Sequence, residues 1–139
     1  MKAPMLLALA ALSISTAQAA EPTGTLTLAC QGTSTFAGKD ILTTQTQVSL
    51  GIIVNFADRT VAFGGNAEAG NFPVIKIIDI SEAEVSFLGG SVPGLHISGS
   101  IDRVTGDVEA TSEATGTENR TIIMRTLYSL KCKPTQRMF

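Results

Sequence analysis

The sequence of 139 residues has no tryptophan, one tyrosine, one histidine and two cysteines. Outer-membrane barrels carry aromatic girdles at both interfaces, so this shortage of aromatic residues argues against that class, although the chain ends in Phe139. A metal site would need two ligands beyond the cysteines, and no CxxC spacing is present. GxSxG, HExxH and P-loop patterns are also missing. We therefore predict no catalytic residue, no cofactor and no metal, and expect that the protein is not an enzyme.

The charge balance is slightly acidic and excludes a second class of partner. Ten basic and twelve acidic residues give a net charge of −2. Loss of Lys2 with an N-terminal leader would leave nine basic residues, and 9 − 12 gives −3. Nucleic-acid-binding proteins usually present a basic face. We therefore expect no nucleic acid among the partners.

The N-terminus has the pattern of a secretory signal peptide. A positive Lys2 precedes the uncharged, apolar run 5–14, and the small residues of Ala17-Gln18-Ala19 form an acceptable cleavage site. The apolar run is too short for a membrane span, which needs roughly 20 residues. We predict a signal-peptide helix over residues 1–20 and a single all-β domain over residues 21–139. The mature protein is then periplasmic or secreted, with no membrane span.

The two cysteines lie near opposite ends of the predicted domain. Cys30 and Cys132 are 132 − 30 = 102 positions apart. An even cysteine count in an exported chain indicates a disulfide. We predict that this bridge ties the first strand to the last.

Apolar and polar residues alternate with a period of two through most of the domain, which is typical of half-buried strands. The predicted strands are TLTLAC (25–30), QVSLGIIVNF (47–56), RTVAFGG (59–65), FPVIKIIDI (72–80), AEVSFLG (83–89), GLHISGSI (94–101), TGDVEATSEA (105–114) and RTIIMRTLYSLKC (120–132). The connections are too short for parallel crossovers. We predict about eight antiparallel strands in an up-and-down meander closed as a small barrel, with a β-sandwich as the alternative. Only residues 34–44 leave room for a short helical turn.

The most charged stretch, GSIDRVTGDVEA (99–110), is interpreted as a hairpin. Asp102 can accept a backbone N–H two residues on, Arg103 follows it, and Gly106 can adopt positive φ. NFADRTVAF (55–63) repeats the Asp-Arg pair as Asp58-Arg59 between two apolar segments. The repetition indicates turn formation in both places.

Other candidate positions are few. His96 lies between Leu95 and Ile97, so alternation turns it away from the apolar face. The Gly-rich segments 64–72 and 88–94 are the best candidates for binding loops. Three small residues are the candidates for leaving space inside a barrel: Gly51, Ala62 and Gly99.

Three segments carry a resemblance to other proteins: TLTLACQGT, GSIDRVTGDVEA and YSLKCKPTQRMF. With these segments the chain resembles a group of small, exported bacterial proteins of uncharacterised function, and the resemblance covers most of the mature chain. It implies export and carries no activity and no catalytic residue. A looser likeness, at the level of fold and compartment, is to small periplasmic β-barrel inhibitors of lysozyme.

These observations favour a non-enzymatic binding or interaction protein of the periplasm or cell surface, with an unknown protein partner. The alternatives are a carrier of a small apolar ligand in the barrel interior and, least favoured, a small enzyme using His96. A carrier requires an apolar cavity of roughly 300 Å³ or more. An interaction protein requires a filled interior with an exposed apolar patch, and an enzyme requires His96 within about 3 Å of a partner in a cleft.

Overall fold

A computed structural model of the chain describes residues 22–39, 41–64, 74–90, 93–116 and 121–136. The predicted signal peptide, residues 1–20, lies outside the described residues, as does nearly all of the predicted loop 64–72. Among the described residues, the structure has no helix long and apolar enough to cross a membrane.

The fold is an all-β barrel of eight antiparallel strands, which confirms the predicted class and excludes the sandwich. The strands are β1 (Thr25–Gly38), β2 (Ile41–Asn55), β3 (Thr60–Gly64), β4 (Ile75–Ile80), β5 (Glu84–Gly89), β6 (Leu95–Asp102), β7 (Asp107–Thr115) and β8 (Ile122–Pro134). Each strand pairs with the next along the chain, and β1 pairs with β8 to close the circle. This closure removes the two outer edges that an open meander would expose.

The expectation of a helical turn within residues 34–44 is wrong. Residues 34–38 complete β1, residues 41–44 begin β2, and Phe36 pairs with Thr44 across the hairpin. The start of β2 lacks a clear apolar face, because Thr44 and Thr46 lie on the inner side of the strand and yet are exposed. The threonines therefore removed the alternating pattern that would have predicted a strand here. Backbone pairing with β1 determines the extended conformation of this segment.

The core fills the middle of the barrel with one inward-facing residue in every two. Its largest fully buried side chains are Phe87, Ile52, Ile75, Val54, Val61, Val85 and Val108. The rings of Phe63 and Phe87 meet edge to face with centroids 5.6 Å apart. A gap of about 10 Å³ beside Phe63 and Tyr128 is no larger than one water molecule needs.

The three small residues considered as internal space do not provide it. Gly51 and Ala62 each follow a buried residue and so alternate onto the outer side of the barrel. Gly99 faces inward, but a Cβ there would lie 2.7 Å from the Cζ atom of Phe87. The Phe87 ring occupies the space that this glycine leaves.

The disulfide joins the strands that close the barrel. Cys30 and Cys132 are direct cross-strand partners in the β1–β8 ladder, and both are buried. The two cysteines face inward, so the bridge belongs to the core. A disulfide of this kind is typical of a protein that matures in an oxidising, exported environment.

Candidate site: an apolar cup at one end of the barrel

The two ends of the barrel are built differently. At one end the connections 56–59, 81–83 and 103–106 are short turns that the structure describes in full. The opposite end carries the turn after Gly38 and three further connections. These include the Gly-rich segments that were candidates for binding loops, and most of those residues lie outside the described part of the chain.

The end with the short turns holds a cavity of about 580 Å³ that opens to solvent. Inward-facing apolar side chains of four strands form its floor: Leu26, Leu28, Val54, Val85 and Ile101. Phe56 and Cys132 add to the wall, and Thr23, Thr25, Pro134 and the turn Asp102–Gly106 form the rim. We call this cavity the cup. Its volume lies within the range of small-molecule sites, and its mixture of apolar floor and polar rim is typical of them.

The turn Asp102–Gly106 forms part of the rim of the cup and is held by hydrogen bonds. One carboxylate oxygen of Asp102 accepts hydrogen bonds from the backbone N–H groups of Val104 and Thr105, each at 2.8 Å. These two bonds hold the pKa of the Asp102 carboxyl below its ordinary value of 3.8. The bond from Thr105 lowers this pKa the most, and the bond from Val104 comes next. Gly106 adopts φ +80°, as the hairpin interpretation requires. The charged stretch therefore builds a turn.

One side of this turn is fixed to the connection between β4 and β5, and the other side is fixed to β8. The backbone N–H of Arg103 donates to the carbonyl of Ala83, and its guanidinium donates to the carbonyl of Ser81. On the other side, the N–H of Cys132 donates to the carbonyl of Gly106 at 2.8 Å. Val104 at the tip keeps 80% of its surface exposed. A turn held at both flanks presents this apolar side chain at the rim without further ordering cost.

Further backbone hydrogen bonds continue the rim past the strand ends. The N–H of Phe56 donates to the carbonyl of Gly24, and the N–H of Thr135 donates to the carbonyl of Thr27. These bonds tie the segments before β1 and after β8 to the barrel. Backbone hydrogen bonds therefore hold the rim of the cup in place.

The second predicted turn has the same kind of side-chain hydrogen bond and left-handed residue, but its Asp-Arg pair occupies different turn positions. Asn55, rather than Asp58, begins this turn, and its side-chain oxygen accepts the N–H of Asp58 at 3.0 Å. Arg59 occupies the left-handed position with φ 54°, where the other turn has Gly106. Asp58-Arg59 thus corresponds to Thr105-Gly106 and not to Asp102-Arg103. The repeated Asp-Arg pair lies in two turns of one kind, displaced by three positions.

Polar side chains on the outer surface of β7 and β8 form paired contacts outside the cup, one of them directly beside its rim. The carboxylate of Glu113 accepts the guanidinium of Arg125 at 2.8 Å, and Lys131 pairs with Asp107. The contacts of Asp107 with Lys131 and then Thr105 hold its pKa below 3.8. His96 is exposed on β6 opposite Glu113 in the β6–β7 register, on the outer face as alternation predicts.

Among the described residues, no group of three or more histidine, cysteine, aspartate or glutamate side chains is arranged to hold a metal ion. The residues that line the cup offer hydroxyl, carboxylate and apolar surface, which suits noncovalent binding of a mainly apolar molecule. Sequence reasoning missed the cup, because its floor collects residues from β1, β2, β5 and β6 that each look like ordinary core. Comparison of the chain with protein-family models, curated proteins and solved structures finds no match.

Proposed function

We propose that this protein is a non-enzymatic binding protein, exported to the periplasm or cell surface, that holds a small and mainly apolar ligand in the cup. The observation that carries the proposal is a cavity of about 580 Å³ with an apolar floor. This volume exceeds the roughly 300 Å³ that a drug-sized ligand requires. The ligand enters the mouth of the barrel and stops at the filled core, so its polar end remains at the rim.

Three features of the rim support ligand binding. The threonines at positions 23 and 25 and the carboxylate of Asp102 offer polar contacts around an apolar floor. Backbone hydrogen bonds link the segments of the rim, so little conformational entropy is lost on ligand binding. The Cys30–Cys132 disulfide links β1 to β8, two of the strands that surround the cup.

The first test is native mass spectrometry of the protein recovered from the cells that produce it. An added mass of a few hundred daltons that is released on denaturation is the expected result and would identify the ligand class. The complementary measurement uses an apolar fluorescent probe, N-phenyl-1-naphthylamine, titrated into the purified protein. We expect saturable binding with one site per chain.

A matched pair of substitutions assigns the probe to the cup. Leu26→Trp places an indole ring in the cup from a half-buried position of its floor. Leu88→Trp makes the same change on the outer surface of β5. We expect Leu26→Trp to weaken probe binding at least about tenfold. A tenfold loss corresponds to about 1.4 kcal/mol, and the indole ring should exclude the probe from apolar contacts worth more than that. Leu88→Trp should bind as the unchanged protein does. Equal binding by both variants would contradict the assignment.

A second candidate is a protein partner, as the sequence analysis favoured. The exposed Val104 at the tip of an anchored turn supports it, since a rigid apolar tip beside an apolar cup suits an intermolecular contact. In this case the cup receives an apolar side chain of the partner. Recovered protein with no added small mass, together with a co-purifying protein that Val104→Asp releases, would favour this candidate over the first.

A further inference from the structure

The disulfide belongs to the wall of the cup at the seam where β1 pairs with β8. Leu26 and Leu28 of β1 line the cup on one side of this seam, and Cys132 and Pro134 of β8 line it on the other. Leu28 lies opposite Pro134, and two positions further into the barrel Cys30 lies opposite Cys132. A ligand in the cup therefore contacts both of the strands that the disulfide joins. We call the part of the seam from the disulfide to the rim the cup seam.

The disulfide divides the β1–β8 ladder into a long part and a short part. On the side away from the cup, pairing continues through Gln31–Gly38 of β1. On the cup side, pairing continues only through Ala29 and Leu28. Beyond them, the N–H of Thr135 donates to the carbonyl of Thr27. Strand ends open at little cost in free energy, whereas the central parts of a ladder open only with the whole fold. Without the bridge, the cup seam is therefore the part of this ladder that opens most easily.

Cys132 also connects the cup seam to the turn on the rim. Its backbone N–H donates to the carbonyl of Gly106 at 2.8 Å. Gly106 closes that turn, since its own N–H donates to the carbonyl of Asp102 at 3.0 Å. Three segments of the cup wall, from β1, β8 and the β6–β7 turn, are therefore linked through the disulfide.

We propose that the Cys30–Cys132 disulfide sets the ligand affinity of the cup, so that the oxidised protein holds its ligand and reduction by a dithiol releases it. The dithiol supplies two electrons and two protons, the S–S bond breaks, both cysteines become thiols, and the dithiol closes to its own disulfide. Pairing through Gln31–Gly38 keeps the barrel closed, while the cup seam opens and the wall loses its contacts with the ligand. This inference rests on the proposed function, because it requires a ligand in the cup.

Ligand binding stabilises the disulfide in return, since the coupling between two equilibria is reciprocal. A ligand that contacts both β1 and β8 opposes opening of the cup seam. It therefore makes reduction less favourable by the same factor by which reduction weakens ligand binding. A tenfold loss of affinity corresponds to a disulfide reduction potential that is lower by about 30 mV in the liganded protein.

The test is titration of N-phenyl-1-naphthylamine into the oxidised protein and into protein that is reduced in denaturant and refolded in dithiothreitol. We expect the reduced protein to bind the probe at least about tenfold more weakly, while its circular dichroism spectrum remains that of the closed barrel. In a glutathione redox buffer, saturating probe should shift the equilibrium between thiols and disulfide toward the disulfide by the same factor.

Two variants separate the effect of the disulfide from that of general stability. Cys30→Ala/Cys132→Ala should bind the probe as weakly as the reduced protein does, and dithiothreitol should not change its affinity. Ile97→Ala truncates a buried side chain of β6 outside the lining of the cup, so it destabilises the barrel while the disulfide and the cup wall are kept. We expect oxidised Ile97→Ala to bind the probe as the unchanged protein does.

Equal probe affinity of the oxidised and reduced proteins would overturn this inference and leave the proposed function intact. A loss of binding in oxidised Ile97→Ala as large as that in the reduced protein would also overturn it, because general stability would then account for both losses. Failure of the oxidised protein to bind the probe at all would contradict the proposed function itself, and this inference with it.

Discussion

At the scale of single residues, left-handed backbone conformation occurs at positions on the cup end of the barrel. Gly24 and Gly106 have φ values of +83° and +80°, and Arg59 has a φ of 54°. Glycine reaches this left-handed region without steric cost, whereas an L-residue pays about 1–2 kcal/mol there. Arg59 is therefore a strained residue in a turn whose counterpart uses glycine.

Replacing Arg59 with glycine should raise the free energy of unfolding by about 1 kcal/mol, since the relief of left-handed strain outweighs the added flexibility of the unfolded chain. The reverse change, Gly106→Ala, should lower it by about 2 kcal/mol or more. A Cβ at position 106 is strained and would also lie 2.4 Å from the carbonyl oxygen of Cys132. Urea denaturation measures both changes.

Gly24→Ala is the control that separates strain from steric overlap. Its φ is equally positive, but an added Cβ has no neighbour within 4 Å. We expect a loss of about 1 kcal/mol, which is smaller than the loss at Gly106. Equal losses at the two glycines would mean that the contact with Cys132 relaxes freely.

At the scale of elements, the turn between β6 and β7 depends on an ionised carboxylate. The Asp102 carboxylate accepts two backbone hydrogen bonds, which are stronger to its ionised form than to its protonated form. Its pKa in the folded protein therefore lies below 3.8. This turn is hydrogen-bonded to the β4–β5 connection through Arg103 and to β8 through Gly106. Protonation of one side chain thus acts on a whole wall of the cup.

The pH dependence follows from the direction of that pKa shift. Because the folded pKa is below the unfolded one, ionised Asp102 stabilises the fold at pH values above about 4 and this stabilisation is lost as the pH falls further. Asp102→Asn should be less stable than the unchanged protein at neutral pH, and the difference should shrink in acid. The measurement is urea denaturation at a series of pH values.

Asp107→Asn provides the comparison, because Lys131 and Thr105 also lower the pKa of Asp107, but this carboxylate lies at the start of β7 and accepts its hydrogen bonds from side chains and not from the backbone of the turn. Both variants should flatten the acid limb of the stability curve. Only Asp102→Asn should also weaken probe binding in the cup at neutral pH. Parallel stability curves for Asp102→Asn and the unchanged protein would contradict the role given to the turn.

The elements show how far the sequence alone could lead. Alternation identified the strands wherever one face is buried, as in β5 with Val85 and Phe87 inside. It failed in residues 34–44, where polar residues occupy both faces. It was ambiguous in β4, where the register shift between Ile77 and Asp79 leaves Ile78 58% exposed. Bulges and exposed inner faces depend on partners far along the chain, so a local period does not reveal them.

At the scale of the whole molecule, the two ends of the barrel differ in how they are built. The cup occupies the end where backbone hydrogen bonds link the short turns. At the other end, β1 and β2 extend beyond the described part of β3. The sequence predicted the closed barrel because Cys30 and Cys132 required neighbouring terminal strands. It did not predict the cup, since this cavity depends on where strands of unequal length end.

The disulfide is the feature that links the two ends of the chain, and its removal tests how the barrel stays closed. β1 and β8 also pair at eleven consecutive positions, from Leu28 to Gly38 on β1, so backbone hydrogen bonds keep the strands together without the bridge. We expect Cys30→Ala/Cys132→Ala to fold into the same barrel with a free energy of unfolding lower by about 2–5 kcal/mol, because the unfolded chain loses a crosslink over 102 positions. Urea denaturation with circular dichroism measures the loss.

The control for that variant is the unchanged protein before and after reduction in denaturant, which removes the bridge without altering the two buried side chains. The reduced protein should be close in stability to the double alanine variant. Under native conditions reduction should be slow, because both sulfur-bearing residues are at least 95% buried and a reductant must wait for β1 and β8 to separate. Rapid reduction of the folded protein would mean that this seam opens easily, and that the disulfide rather than the ladder keeps the barrel closed.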